Sequence, residues 1–143
     1  MAINFHPQPG TILICDFDGF IAPEMVKRRP VVVISPRLRN RGNLIAVVPI
    51  STTRPDDNYP YHYKLRFEPP LPAPYDKPET WVKADMVYTL GFHRFYVPQL
   101  GKDASGKRQY DQRVVNEKDL GGIMACVLHG LGLGNLTDHM PPR

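Results

Sequence analysis

The chain is poor in the features that mark several large protein classes. It has two cysteines, Cys15 and Cys126, far apart and each inside an apolar stretch. That usage fits two reduced core thiols, not a disulfide framework or a zinc site. No apolar run approaches the roughly 18 residues needed to cross a bilayer, and the first residues lack the basic-then-apolar pattern of a secretion signal. A cytoplasmic protein with no membrane partner is expected. There is no glycine-rich phosphate loop of P-loop or dinucleotide-binding spacing, and the five histidines, His6, His62, His93, His129 and His139, are scattered. A nucleotide or metal enzyme is therefore not expected, nor is any cofactor or metal. Internal repeats and strong low-complexity tracts are missing too. With 143 residues the chain can build one domain, 1–143, around a single core.

Two compositional excesses stand against these absences. The 16 prolines are about twice average usage, and many fall in Pro69-Pro70-Leu71-Pro72-Ala73-Pro74-Tyr75-Asp76-Lys77-Pro78, which must be a loop. The formal net charge of +4 favours a polyanion or acidic partner.

Strand-length apolar runs recur between turn signals. Thr11–Phe17 follows Pro9-Gly10; Pro30–Ile34 stops at Ser35-Pro36; Leu44–Ile50 runs from an Asn-Arg-Gly-Asn turn to Ser51-Thr52-Thr53-Arg54-Pro55. Residues 61–67 alternate, with Tyr61, Tyr63, Leu65 and Phe67 on a packing face and His62, Lys64 and Arg66 on a basic one. Thr80–Val87 reads as a further strand. Phe95–Leu100 is expected to pair with Arg108–Val114 across Gly101–Gly106, with Pro98 interrupting it. The sheet should be mostly antiparallel.

Near the C-terminus the period changes. Leu120, Ile123, Met124, Val127, Leu128 and Leu131 form a helical stripe, with Asn116 as N-cap and Gly130–Gly134 as the stop. His129 falls at the helix end. Gly121-Gly122 lowers helix propensity by about 1 kcal/mol per glycine, so packing or a close backbone approach must justify it. From about residue 135 the chain is polar and proline-terminated, and a flexible tail is expected.

The charge is concentrated where chemistry can use it. Lys27-Arg28-Arg29-Pro30 immediately precedes Val31-Val32-Val33-Ile34. As a run of charge this is an ordinary solvated loop. Ahead of a buried strand, however, Pro30 biases Arg29 to extended backbone, and a guanidinium so held can grip a phosphate with two donors. Asp16 and Asp18 are either a carboxylate pair or the turn before Gly19, and a turn is the simpler role. Arg37, Arg39 and Arg41 cluster near a turn and read as solvated.

Pro9-Gly10, Asp16-Phe17-Asp18, Glu24 five residues before Arg29-Pro30, Val31 to Ser35, and Val48-Pro49-Ile50-Ser51-Thr52 resemble, in order and spacing, the PemK/MazF toxins of type II toxin-antitoxin systems. The resemblance covers roughly residues 9 to 90. It implies a mainly β fold, an SH3-like small barrel of mostly antiparallel strands with a C-terminal helix. It also implies a homodimer and a metal-independent, sequence-selective endoribonuclease acting on single-stranded RNA and inhibited by a cognate antitoxin.

The residue chemistry is compatible with that activity. RNA is cut without metal when its 2′-hydroxyl attacks the adjacent phosphate. Something must then stabilise the added negative charge, and something must protonate the 5′-oxygen. Arg29 suits the first task and Ser51 can donate to the same phosphate, with Thr52 beside it. By the resemblance, Ser51 stands where the family usually carries a catalytic threonine. Lys83-Ala84-Asp85 resembles the Arg-x-Asp of the PemK branch, to which acid and base roles are assigned, and here it is either that pair or a structural salt pair. Pro23 replaces a histidine of that branch. Glu24 is retained, to orient Arg29 or read a base. Trp81, His62 and Tyr61 are the stacking candidates, Trp81 being equally a core residue, and Lys27, Arg28, Arg54 and Lys64 suit the RNA backbone. Two alternatives share the fold: a gyrase-binding toxin like CcdB, and a catalytically inactive member that binds RNA or antitoxin.

Overall fold

The computed structural model describes residues 1–141. Its strands are β1 (Ile12–Cys15), β2 (Arg29–Val33), β3 (Leu44–Ser51), β4 (His62–Arg66), β5 (Glu79–Lys83), β6 (Tyr88–Gly91), β7 (Phe95–Tyr96), β8 (Gln99–Lys102) and β9 (Arg108–Tyr110), followed by one helix, α1 (Glu117–Gly130). Seven of these strands form an antiparallel sheet in the order β4-β5-β3-β2-β1-β7, with β6 paired to β3; β8 and β9 make a separate hairpin. The expected mainly β fold with a C-terminal helix is present. The path ends at β4 and β7 without a pairing between them.

The continuous apolar runs of β1, β2 and β3 are explained by burial on both faces. One core holds Ile12, Val32, Val48 and Ile50 with Leu65, Val82, Ile123 and Val127 from β4, β5 and α1. The other holds Leu13, Cys15, Val31, Val33 and Val47 with Phe17, Met25 and Phe95. Successive residues of a strand feed opposite cores, each fully buried aliphatic side chain contributing roughly 1.5–3 kcal/mol. Both cysteines are free and buried, and desolvation pushes the Cys15 thiol up to about 12.

The helix forms as its pattern predicts. The Asn116 side chain accepts from the Asp119 N–H at 2.7 Å, and Leu120, Ile123, Cys126 and Val127 are buried. Gly122 is explained by close approach: a Cβ there would lie 2.2 Å from the Tyr63 ring, whose hydroxyl donates to Asp119 at 2.7 Å.

Three expected boundaries are corrected. The Thr80–Val87 run is not one strand: β5 ends at Lys83, and a turn through Ala84-Asp85, in which the Met86 N–H donates to the Lys83 carbonyl at 3.1 Å, separates it from β6. Both pieces lie antiparallel to β3, β6 along its first half and β5 along its end. Phe95–Leu100 is likewise split at Pro98, so that β7 joins β1 while β8 alone makes the hairpin with β9. Third, residues 134–139 of the expected flexible tail form a 3-10 helix, held by the Leu133 N–H to the Leu128 carbonyl at 2.8 Å and by Thr137 Oγ1 to Gly134 O at 2.7 Å. Pro142 and Arg143, the last residues of that tail, lie outside the described residues.

Candidate active site on the open face of β4 and β5

Register assembles the site. In the β2–β3 ladder Val31 faces Pro49 and Val33 faces Val47. Extending that register by two residues brings Arg29, at the start of β2, abreast of Ser51, at the end of β3. Ser51 in turn pairs with Trp81 of β5, and Trp81 with Lys64 of β4; one step along, Lys83 pairs with His62. Directly paired residues share a face. The intervening Val82, Tyr63 and Leu65 point to the core beneath α1, so the Arg29–Ser51–Trp81–Lys64 row lies on the opposite face. There the second core stops and polar groups take its place.

Burial differs along this row. Ser51 is 3% exposed, and its Oγ accepts the Thr53 N–H at 3.1 Å, which leaves the hydroxyl proton free to donate. Arg29 is half-buried and its Nε has no hydrogen-bond partner. Lys83 and Trp81 are half-buried and Lys64 is exposed, paired with Glu79 at 2.9 Å. Trp81 and Arg54 line two adjoining cavities: one of about 170 Å³ shared with Tyr59, His62 and Lys64, and a shallower one shared with Thr52. Trp81 is therefore a wall of the site as well as a packed residue.

His62 is the best-defined group. Its ring meets Tyr61 and Tyr59 edge-on, with centroids 4.8 and 5.3 Å away, and these tyrosines stack on each other. Its Nε2 is 3.8 Å from Asp85 Oδ1, while its Nδ1 is buried without a partner. Burial holds its pKa below the ordinary value; Asp85 opposes that shift and Lys83 adds to it. Among the described residues, Arg29 Nε and His62 Nδ1 are the buried side-chain polar atoms left unsatisfied. Both fall on residues singled out from the sequence, and unsatisfied buried groups of this kind ask for a functional explanation.

Other expectations are revised. Lys83 and Asp85 do not share a strand face, because the strand ends at Lys83; nor do they form a salt pair, the Asp85 carboxylate lying instead 3.8 Å from His62 Nε2. Asp85 is instead seated by α1: a Cβ on Gly130 would come within 2.8 Å of its Cα. Glu24 is not paired with Arg29. Its carboxylate accepts the Ile21 N–H at 3.1 Å and closes its own turn. Asp16 makes the expected turn, accepting the Asp18 N–H at 2.9 Å, and Arg94 fastens it by donating to the Asp16 and Asp18 carbonyls. Arg28 lies apart from the row, 3.5 Å from Asp16 and over the Tyr96 ring, while Lys27 is exposed. The Tyr75 hydroxyl of the proline-rich loop donates to the Arg28 carbonyl at 3.2 Å, bracing the residue before Arg29. Tyr59 was not among the sequence candidates, since nothing local marks a tyrosine in an Asp-Asp-Asn-Tyr-Pro loop as a partner of β4.

Residues 8–111 match the family model of the PemK-like, MazF-like toxins of type II toxin-antitoxin systems. The Escherichia coli K12 protein YifN is 34% identical over 113 residues, 66% of this chain and 74% of YifN. A Haemophilus influenzae protein is 35% identical over 109 residues, 67% of this chain and 74% of its own. Among solved structures, a mycobacterial endoribonuclease in complex with its cognate antitoxin superposes with a TM-score of 0.59 at 22% identity, covering 90% of this chain and 97% of that one. MazF from Deinococcus radiodurans gives 0.58 at 20% identity, covering 90% and 99%. These two share the fold. The family match spans the β2–β3 row, the β4–β5 face and the Asp85 turn together, and on that match the chain belongs to the PemK-like, MazF-like toxins of type II toxin-antitoxin systems.

Proposed function

We propose that the protein is a metal-independent, sequence-selective endoribonuclease of a toxin-antitoxin pair. It cleaves single-stranded RNA to a 2′,3′-cyclic phosphate and a 5′-hydroxyl. The observation that carries this reading is the alignment of Arg29, Ser51, Trp81 and Lys64 across four strands, with Lys83 and His62 one step along. A phosphate laid over the row meets the Arg29 guanidinium, whose Nε lacks a partner, and the Ser51 hydroxyl. Both donate to non-bridging oxygens as charge develops, and such preorganised donors are worth on the order of 10²–10³ in rate each. Asp85 takes the proton from the 2′-hydroxyl as the 2′-oxygen bonds to phosphorus. The bond to the 5′-oxygen breaks, and the Lys83 ammonium supplies that oxygen with its proton. Thr52 and Arg54 border the adjoining cavity and hold the chain on one side of the cut. Bases splay against Trp81 and the Tyr59–Tyr61–His62 group, which is how single strands are commonly read.

The active form is a homodimer whose interface extends the groove. An acidic antitoxin segment inhibits by lying across the same basic face; the mycobacterial relative in complex with its antitoxin supports such a partner. The test is cleavage of single-stranded RNA in excess EDTA, with end-group analysis and mapping of the cut. Cyclic phosphate and 5′-hydroxyl ends are expected, and Arg29→Ala should lose activity while its unfolding midpoint stays put. Intact RNA together with gyrase poisoning in growing cells would overturn the reading.

A further inference from the structure

The site holds a donor and an acceptor that are too far apart for each other and correctly spaced for a third group. Asp85 Oδ1 stands 3.8 Å from His62 Nε2, beyond hydrogen-bond range. An oxygen placed at roughly 2.8 Å from both atoms closes a triangle on that base, and His62 lines the cavity of about 170 Å³ from which such an oxygen would arrive. The carboxylate sets the tautomer. Asp85 is an acceptor and faces Nε2 at 3.8 Å, whereas Nδ1 has neither donor nor acceptor beside it. In the neutral ring the one proton therefore sits on Nε2, directed at the gap. Burial disfavours the charged ring and the Lys83 charge across the ladder adds to that, while Asp85 opposes it; Lys64, itself paired with Glu79, and Arg54 and Asp57 of the same cavity lie around it.

A neutral donor facing a carboxylate acceptor matches a group that both donates and accepts. The ribose 2′-hydroxyl is that group, and it is what separates RNA from DNA at a given site. We infer that His62 and Asp85 jointly seat the 2′-hydroxyl at the cut, Nε2–H donating to its oxygen while the Asp85 carboxylate receives its proton, and that this pair is what selects RNA over DNA. The inference rests on the proposed use of RNA but adds a residue and a selection rule to it. His62 is then a substrate-contacting donor and not the proton acceptor, so a side chain that keeps an N–H at the same reach replaces it. Gly130 belongs to the same device, since the helix backbone holds the Asp85 turn in place.

The experiment uses the Arg29→Ala protein, expected to keep enough of the groove to bind without cutting, and a short single-stranded RNA against the same sequence in 2′-deoxy form. The Arg29→Ala protein is expected to prefer RNA about tenfold, the scale of one hydrogen bond to a charged group. Adding His62→Leu should abolish the preference, while adding His62→Gln should keep most of it; thermal unfolding checks that each is folded. A preference that survives His62→Leu, or equal loss in the Gln and Leu forms, overturns the inference. Wild-type cleavage of the same RNA in EDTA is followed in parallel. Absence of cleavage with a His62-dependent preference removes the proposed reaction and leaves the seating pair in place. Cleavage with a His62-independent preference removes the seating pair alone.

Discussion

The two ends of the main sheet are built from the same kind of strand and put to opposite uses. In β1, in β2 after Arg29 and in β3 from Val47 to Ile50, side chains on both faces are buried, so Val31 and Val32 feed different cores and neither is free for chemistry. In β4 and β5 one face still packs on α1 through Tyr63, Leu65 and Val82, but the other carries Lys83 and, lining a cavity, His62, Lys64 and Trp81. Ser51 and Arg29 mark the seam where the second core layer gives out. The difference shows how the site is made: rigidity comes from a doubly buried scaffold, and reactivity from the row where that burial stops. The unsatisfied Arg29 Nε and His62 Nδ1 lie at or beyond this seam.

Substitution on either side of the sheet gives the largest effects and can break this division. Leu65→Ala removes a side chain that is 2% exposed beneath the site and should cost about 2–5 kcal/mol of stability. Lys64→Ala, the next residue on the open face, should change stability by no more than about 0.5 kcal/mol, since its pair with Glu79 is solvent-exposed. Arg29→Ala should reverse the pattern, losing roughly 10²–10³ in cleavage rate while the chemical unfolding midpoint moves little. If Lys64→Ala and Leu65→Ala unfold alike, the two faces are not distinct.

The glycines of α1 sharpen the comparison, since each lies against one side of it. Gly122→Ala drives a methyl into the Tyr63 ring on the packed side; overpacking of about 1–3 kcal/mol outweighs the roughly 1 kcal/mol gained in helix propensity. A lowered unfolding midpoint with an unchanged rate per folded molecule is expected. Gly130→Ala instead meets the Asp85 backbone and should lower kcat, since a misplacement of about 1 Å can cost on the order of 10²-fold. Equal kcat in wild type and Gly130→Ala would mean that the helix end does not set Asp85.

Legibility in the sequence followed the same line. The doubly buried strands and the capped helix were readable because burial writes periodicity into the chain: the Val31–Ile34 run, the alternation from Tyr61 to Phe67, and Asn116 before the apolar stripe. The candidacy of Arg29 rests on its place ahead of a buried strand, and that of Ser51 on the family resemblance. What escaped depended on partners distant in sequence. The pairing of His62 with Asp85 exists because β4 and β5 are in register and a turn follows Lys83, neither of which two-residue alternation reveals. Thr80–Val87 looked like one strand because Ala84 is buried like a strand residue although it sits in the turn. Glu24 looked available to Arg29 until its own loop claimed it.

The smallest effect concerns pH. His62 is held mainly by burial below its ordinary value of 6.5 in the folded protein, with the Lys83 charge adding to that shift and Asp85 opposing it. Above 6.5 the ring is neutral in folded and unfolded chains alike, and the stability difference is at its full value. As pH falls below 6.5 the unfolded chain takes up a proton first, so stability declines through the interval down to the folded-state value and then levels. The open face should thus loosen in mild acid while the apolar scaffold, which has no titrating group in that interval, does not. Chemical denaturation of wild type and His62→Gln across this interval measures the difference: the wild-type curve should fall more steeply with acid. Parallel curves would mean that His62 is as free to protonate in the folded protein as in the unfolded chain, and the neutral Nε2–H donor would lose its footing.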